Sequence, residues 1–352
     1  MQEVTIGTVK IGPAHPPFII AEVSANHNGS LERALQLVEE AAKAGVHAVK
    51  FQTYTPDTIT LNVRGGEFLI TEPTSLWAGS NLYDLYQEAY MPWEWHQPLF
   101  QRCNELGLIV FSTPFDETAV DFLETLQVPC YKIASPEIVD LPLIKKVASK
   151  GKPMIISTGA ATLVEIGEAV ETARHGGCNE IILLKCTAAY PAKPVDINLR
   201  AIPHLSACFN TLVGLSDHTL GLGVPVAAIA LGSCVIEKHL TRAREEGGVD
   251  SAFSLEPHEF EMLVTESKRA WEALGNIQYA PLKAEKTTLS HRPSLYFVED
   301  LVEGDIVQPR HVRSVRPSKG LPPKEIDNII GLELRQAVQK GTPVSWHCFR
   351  FS

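Results

Sequence analysis

Polar and charged side chains recur where β-branched, apolar runs of this chain end. They are Glu22 with Asn26-His27-Asn28, Lys50 with Gln52, Ser112-Thr113, Lys132 with Ser135, Ser157-Thr158, Lys185 with Thr187, Ser216-Asp217-His218 and Glu237-Lys238-His239. Three of these clusters carry a lysine, Lys50, Lys132 and Lys185. Ammonium groups converging from several strand ends make a site for a phosphate or a carboxylate. The hydroxyls of Thr113, Ser135 and Ser157 would then fix the anion's orientation. The plainer alternative is that each lysine snorkels to the surface or pairs with a neighbouring carboxylate. His218 and His239 close the last two runs, each beside an acid, Asp217 and Glu237. Two imidazoles on adjacent strand ends can share one divalent cation, leaving its other positions to water and substrate, as a catalytic metal requires. Either histidine alone would more simply be a satisfied core residue. Glu22 can orient a water or a sugar hydroxyl, take part in proton transfer, or salt-bridge to Lys50; these roles are compatible. Asn28-Gly29-Ser30 serves equally well as a turn and a helix cap.

Such groups need a scaffold that brings their strand ends together. The apolar runs fall at residues 18–24, 48–54, 108–113, 130–135, 153–158, 180–186, 211–217 and 233–239. Helical periodicity fills the intervals at 31–44, 92–106, 117–126, 141–150, 163–175, 197–207, 222–231 and 256–274. Strands alternating with helices imply parallel pairing and right-handed crossovers. Eight of them favour closure into a (β/α)8 TIM barrel, whose chemistry sits at the C-terminal mouths of the strands. Residues 55–90 interrupt the pattern with Gly65-Gly66, Pro73 and several aromatics, and read as a folded loop or lid rather than a regular element. After Gly275 the texture changes. Residues 276–291 read as a linker. Residues 292–352 carry short segments at 294–298, 312–316 and 331–338, a compact module of about 60 residues that would lean on the barrel or on a second subunit.

Bulk properties narrow the function. The chain has 352 residues, is 45% hydrophobic and carries a net charge of −10. That charge argues against nucleic acid as a partner, because phosphate-backbone binding needs excess Lys and Arg. No basic stretch followed by an apolar run opens the sequence, and no run of about 18 apolar residues occurs, so neither a secretory signal nor a membrane span is expected. The seven cysteines are scattered, without a C-x-x-C pair, which suits reduced thiols in the cytoplasm.

Ile20-Ala21-Glu22 with Asn26-His27-Asn28-Gly29, Val49-Lys50-Phe51-Gln52-Thr53, Tyr131-Lys132-Ile133-Ala134-Ser135, Ser157-Thr158-Gly159, Leu215-Ser216-Asp217-His218-Thr219 and Ile236-Glu237-Lys238-His239 resemble the sialic acid synthase family in order and spacing. The resemblance covers nearly the whole chain. The final module, with Val315-Arg316-Pro317, looks like the antifreeze-like (SAF, β-clip) domain that closes those enzymes. Within the family, the excursion around Ser75-Leu76-Trp77 and Tyr83-Asp84-Leu85-Tyr86, and the segment from Gly247-Gly248-Val249-Asp250 to Glu256-Pro257, resemble the pseudaminate branch rather than the N-acetylneuraminate branch. One departure supports a sugar other than N-acetylmannosamine: Thr187-Ala188-Ala189-Tyr190 lacks the asparagine that sialate synthases carry there.

The resemblance implies condensation of phosphoenolpyruvate with an open-chain amino sugar aldehyde, release of phosphate, and a divalent metal such as manganese, magnesium or cobalt. It implies that Lys50, Thr113, Lys132, Ser135, Ser157 and Ser216 hold phosphoenolpyruvate. It implies that His218 and His239 bind the metal, and that Glu22, Gln52, Tyr190, Glu237 and Asp250 face the sugar, the bound water or the metal's surroundings. Arg316 would reach into the barrel of a partner subunit in a domain-exchanged homodimer. A synthase for N-acetylneuraminate or legionaminate is the near alternative. A non-catalytic sugar- or ice-binding protein is the distant one, suggested by the last module alone and opposed by the polar strand ends.

Overall fold

The computed structural model describes residues 3–73 and 75–351, which divide into two compact units at Gly275. In the first unit eight parallel strands run Phe18–Glu22, Ala48–Thr53, Ile109–Pro114, Tyr131–Ile133, Met154–Ser157, Ile181–Cys186, Leu212–Asp217 and Val235–His239. Each ladder joins neighbours in sequence, and the eighth strand pairs with the first. The third and fourth strands lie against each other and complete the ring. The expected TIM barrel is therefore the fold.

Two cores follow from the alternation of side chains along each strand. Ile20, Ala48, Phe111, Ile155, Ile182, Leu184 and Val235 fill the barrel interior, whereas Ile19, Val49, Val110, Ile156, Leu183, Leu215 and Ile236 point outward to meet the helices. The helices present matching stripes. In Leu31–Lys43 the buried residues are Ala34, Leu37, Val38 and Ala41, one face at helical spacing. Their starts are set by side chains that satisfy the first free N–H groups: Ser30 accepts from Arg33, Asp116 from Thr118 and Ala119, and Asp140 from Leu143, while Thr162 and Glu165 form a capping box.

The structure adds elements that the pattern of runs misses. A hairpin, Val4–Ile6 with Val9–Ile11, packs Val4, Ile6 and Ile11 onto the interior cluster beside Phe18. Gly7 turns it at φ +58°, a conformation open to glycine at little cost. The 55–90 excursion, expected to be irregular, contains the α-helix Leu82–Ala89, capped by Asn81. The helix expected over 197–207 starts four residues later, as Ala201–Phe209.

The second unit holds a short helix, Lys286–Ser290, and an antiparallel pair, Ser294–Phe297 with Val312–Val315. Its core gathers Leu295, Phe297, Val307, Ile329, Leu334, Val344 and Phe349. No strand forms over 331–338; Glu333, Leu334 and Val338 make isolated bridges instead. No helix among the described residues is long and apolar enough to cross a membrane.

Candidate active site

The strand ends open into one cavity of about 470 Å³. Alternation decides what enters it. Residues two apart from the interior core continue inward at the mouth, so Glu22, Lys50, Gln52, Lys132, Ser157, Ser216, Glu237 and His239 all line it. Ser135, Tyr190, His218 and Asp250 join them from the loops. Thr113 stands behind Lys50, whose Nζ donates to Thr113 Oγ1 at 3.3 Å. Most of the residues singled out in the sequence thus share one chamber.

Its charged half is a closed network. Lys50 Nζ pairs with Glu22 Oε2 and lies 3.6 Å from Glu237 Oε1; Lys132 Nζ lies 3.9 Å from the same oxygen. Lys132 also donates to Ser157 Oγ at 2.7 Å, and Ser216 Oγ to Glu237 Oε1 at 3.3 Å. Gln52 Nε2 links Glu22 Oε1 to Ser24 Oγ, which donates to Asp250 Oδ2. Burial acts on every member. It raises the Glu22 carboxyl more than Lys50 lowers it. Burial also works to raise Glu237, but Lys132 and Lys50 outweigh it and hold that carboxyl below its ordinary value. Burial lowers the Lys132 ammonium despite Glu237. Two carboxyl groups thus stand against two ammonium groups in the charged half.

The other half is aromatic. The rings of His218 and His239 lie 5.3 Å apart, with Tyr190 at 4.3 Å from His218 and Phe253 at 4.9 Å from His239. His218 Nδ1 meets the Thr187 carbonyl at 3.0 Å. A carbonyl only accepts, so Nδ1 carries the hydrogen, and despite burial the hydrogen bond with the Cys186 thiol and the Thr187 carbonyl raise this imidazole above its ordinary value. His239 Nδ1 is buried without a hydrogen-bond partner, and burial holds its imidazole well below the usual value, keeping it uncharged. With His218 anchored to a carbonyl through Nδ1 and His239 Nδ1 orphaned in a buried position, the two imidazoles make a donor pair suited to a divalent cation, which would take the place of Cys186 at His218. Among the described residues no group of three or more His, Cys, Asp and Glu side chains is placed to hold a metal ion, so the pair would leave most positions to other ligands. Above them the excursion supplies an apolar roof of Ile59, Ile70, Trp77, Leu82, Leu85 and Tyr86, joined by Tyr54 and Phe115 from just past the second and third strands. Trp77 Nε1 donates to the Val249 carbonyl at 3.3 Å and its ring stands 5.7 Å from Tyr190.

Two sequence expectations fail. Lys185 does not join Lys50 and Lys132. It lies between Leu184, in the interior core, and Cys186, at the mouth, so it faces outward; its Nζ donates to the Cys186 carbonyl at 2.7 Å and to Thr187 Oγ1 at 3.1 Å. It lines a separate groove with Thr158 and His204. For the same reason Asp217 is not beside a metal site: it faces away from the barrel and binds Lys238 Nζ at 2.6 Å. Arg316 belongs to the second unit and is exposed there, just past the strand Val312–Val315. Conversely, two chamber groups escaped notice. Cys186 was available from the period of two. Its thiol contacts His218 and Ser135, whose bonds outweigh burial and hold it below its ordinary value. Glu137 sits on a turn beyond the fourth strand, where no periodicity reports direction; burial pushes its carboxyl up to about 7, and its Oε2 has no partner.

A parallel barrel whose C-terminal mouth gathers ammonium groups, carboxylates, hydroxyls and an imidazole pair over an apolar roof defines an enzyme class acting on a small anion and a second, partly apolar substrate. The chain belongs to the NeuB family, whose model matches residues 37–279, and a SAF domain matches residues 292–350. It is 41% identical to pseudaminic acid synthase of Campylobacter jejuni (strain 81-176) over 95% of this chain and 96% of that one. It is 38% identical to N,N'-diacetyllegionaminic acid synthase of Legionella pneumophila, covering 94% and 93%. The crystal structure of N-acetylneuraminic acid synthetase from Leptospira borgpetersenii, in complex with citrate, superposes with a TM-score of 0.72 at 35% identity, over 82% of this chain and 95% of that one.

Proposed function

We propose that this chain catalyses the pseudaminic acid synthase reaction: condensation of phosphoenolpyruvate with the open-chain aldehyde of 2,4-diacetamido-2,4,6-trideoxy-altropyranose, giving pseudaminic acid and phosphate. The observation that carries the reading is the single chamber in which Lys50, Lys132, Ser135, Ser157 and Ser216 face His218 and His239. The near-full-length similarity to pseudaminic acid synthase supports the choice of sugar. So does the apolar roof, because a diacetamido, 6-deoxy sugar carries three methyl groups, and burying each is favourable by about 0.8 kcal/mol.

In this reading Lys132, Ser135 and Ser157 hold the phosphate, and Lys50, Thr113 and Ser216 the carboxylate side of phosphoenolpyruvate. The methylene carbon forms a bond to the aldehyde carbon, whose oxygen takes up a proton. Water adds to the adjacent cationic carbon and loses a proton. The tetrahedral intermediate breaks its C–O bond to phosphate, leaving the 2-keto acid. The buried ammonium groups stabilise the anionic groups throughout. Glu22, with its carboxyl raised by burial, is the proton carrier for the aldehyde oxygen or the water. Gln52, Tyr190, Glu237 and Asp250 orient the sugar and the water. His218 and His239 would hold a divalent cation, which supplies Lewis-acid polarisation of the aldehyde when bound. Arg316 is assigned to the barrel of a partner subunit in a domain-exchanged homodimer, and the enzyme to the cytoplasm, which its seven unpaired cysteines suit.

The test is a substrate panel. The purified protein is incubated with phosphoenolpyruvate, manganese and, separately, the altro-configured sugar, its manno-configured legionaminate counterpart and N-acetylmannosamine, with phosphate release and product mass recorded. The altro sugar should give the highest kcat/KM. A higher value with either of the others reassigns the substrate, and no phosphate with any of them refutes the reaction.

A further inference from the structure

The imidazole pair is held from behind. Asp217 and Lys238, the residues preceding His218 and His239, face out of the barrel and stand directly opposite each other in the ladder of the seventh and eighth strands. Both side chains are fully buried, with Lys238 Nζ 2.6 Å from Asp217 Oδ2. The same ammonium donates to the Thr219 carbonyl at 2.6 Å. Thr219 in turn donates its N–H to Asp217 Oδ1 at 3.1 Å and its hydroxyl to Oδ2 at 2.9 Å. His218 is therefore bracketed by residues 217 and 219, and both are tied to residue 238, one peptide away from His239.

A buried ion pair is weak evidence of a stabilising role, since apolar replacements of similar volume are often neutral or better. Geometry is what this one supplies. The His239 ring has no hydrogen bond through Nδ1, from which the Asp250 carboxylate stands off at 3.9 Å; its direction comes from its strand and from packing against Phe253 and His218. His218 is tethered to the Thr187 carbonyl and to the Cys186 thiol, both at the end of the sixth strand, so these bonds relate it to His239 only through the barrel's own strands. The relative placement of the two rings thus depends on the register and twist of the two strands at this point. We propose that Asp217, Lys238 and Thr219 form a positioning clamp that sets His218 and His239 at the separation a shared divalent cation needs. The clamp rests on the metal reading given above for those histidines. It touches neither substrate nor cation, and acts through the two backbones.

The experiment compares metal-free wild type with Thr219→Val, Asp217→Asn and the apolar double variant Asp217→Leu/Lys238→Met. Manganese affinity is measured by electron paramagnetic resonance, phosphoenolpyruvate binding by calorimetry, and ring positions by crystallography. The double variant should bind phosphoenolpyruvate within about twofold of wild type and manganese roughly 10–100-fold more weakly, the range for lost supporting contacts around metal ligands. Its two ring centroids should depart from the 5.3 Å of the native pair. Thr219→Val and Asp217→Asn should lose manganese affinity severalfold, and they decide the matter if the double variant does not fold. Unchanged manganese affinity in folded variants overturns the clamp. If wild type itself binds no manganese, the metal reading fails. The ring positions then decide the clamp separately: unchanged in the variants, they refute it, and displaced, they support it.

Discussion

Replacing Glu137 with glutamine should stabilise this protein above neutral pH. The carboxyl lines the chamber, its Oε2 is buried without a partner, and burial raises its pKa from 4.5 to about 7. Its own backbone N–H and Lys132 oppose the rise, and Asp140 adds to it. Between those two pH values the folded chain keeps a proton that the unfolded chain releases. Folding is therefore unpenalised at low pH, loses stability as pH rises above 4.5, and levels off above about 7. A gap of that width corresponds to roughly 3 kcal/mol at pH 8, an upper figure because the side chain is partly hydrated. Glutamine keeps the shape and cannot ionise. Urea unfolding followed by circular dichroism, at pH 5 to 8, should show the advantage of Glu137→Gln growing from under about 1 kcal/mol at pH 5 toward roughly 3 kcal/mol at pH 8. An advantage that does not change with pH, or a variant weaker than wild type at pH 8, would refute the claim that Glu137 ionises against burial.

Lys185→Met should change the KM for phosphoenolpyruvate less than about threefold, whereas Lys132→Met should abolish measurable turnover; equal losses would return Lys185 to the anion site. In Gly159→Ala the new Cβ would meet Ser135 Oγ at 2.7 Å and Cys186 Sγ at 3.1 Å. That should displace the Ser135 hydroxyl and raise the KM for phosphoenolpyruvate about tenfold or more, and a KM within twofold of wild type would dissociate Ser135 from phosphate binding. Dialysis against a chelator should abolish turnover and manganese should restore it, fully in wild type and at most partly in His218→Ala; full activity in the chelator would exclude a metal requirement. Mixing Arg316→Ala subunits with Lys132→Met subunits should recover activity if the arm crosses between barrels, and a confirmed mixed dimer with none would count against exchange.

The sequence made the strand order readable because each strand ends in polar groups that an interior strand could not carry. It made the chamber readable only as far as one rule was applied along each strand. The alternation that puts Leu184 and Cys186 inside and Lys185 outside was present in the sequence, as was the placement of Asp217 and Lys238 behind His218 and His239. Treating every polar group at a strand end as a site residue ignored it. Glu137, Ile70 and Trp77 were hidden for a different reason: they lie on turns and loop segments beyond the strands, where no period relates position to direction. The helix Leu82–Ala89 does carry an apolar stripe, Leu82, Leu85, Tyr86 and Ala89 at i, i+3, i+4 and i+7, which faces the chamber, but two turns between irregular segments are too short for that period to stand out as it does in Leu31–Lys43.

That division has a physical consequence. The strands fix charges whose mutual distances tolerate little change, since an ammonium displaced from its carboxylate in a buried site loses several kcal/mol. The roof makes mainly apolar contacts, whose energy depends on area rather than direction. In the proposed reaction the anion would therefore rest on the strand ends, and the apolar groups of the sugar on the 55–90 excursion. Exchanging residues 55–90 between a pseudaminate and a legionaminate synthase should accordingly move the sugar preference while leaving the KM for phosphoenolpyruvate within about threefold; a chimera that keeps its original sugar would place discrimination among the strand ends instead.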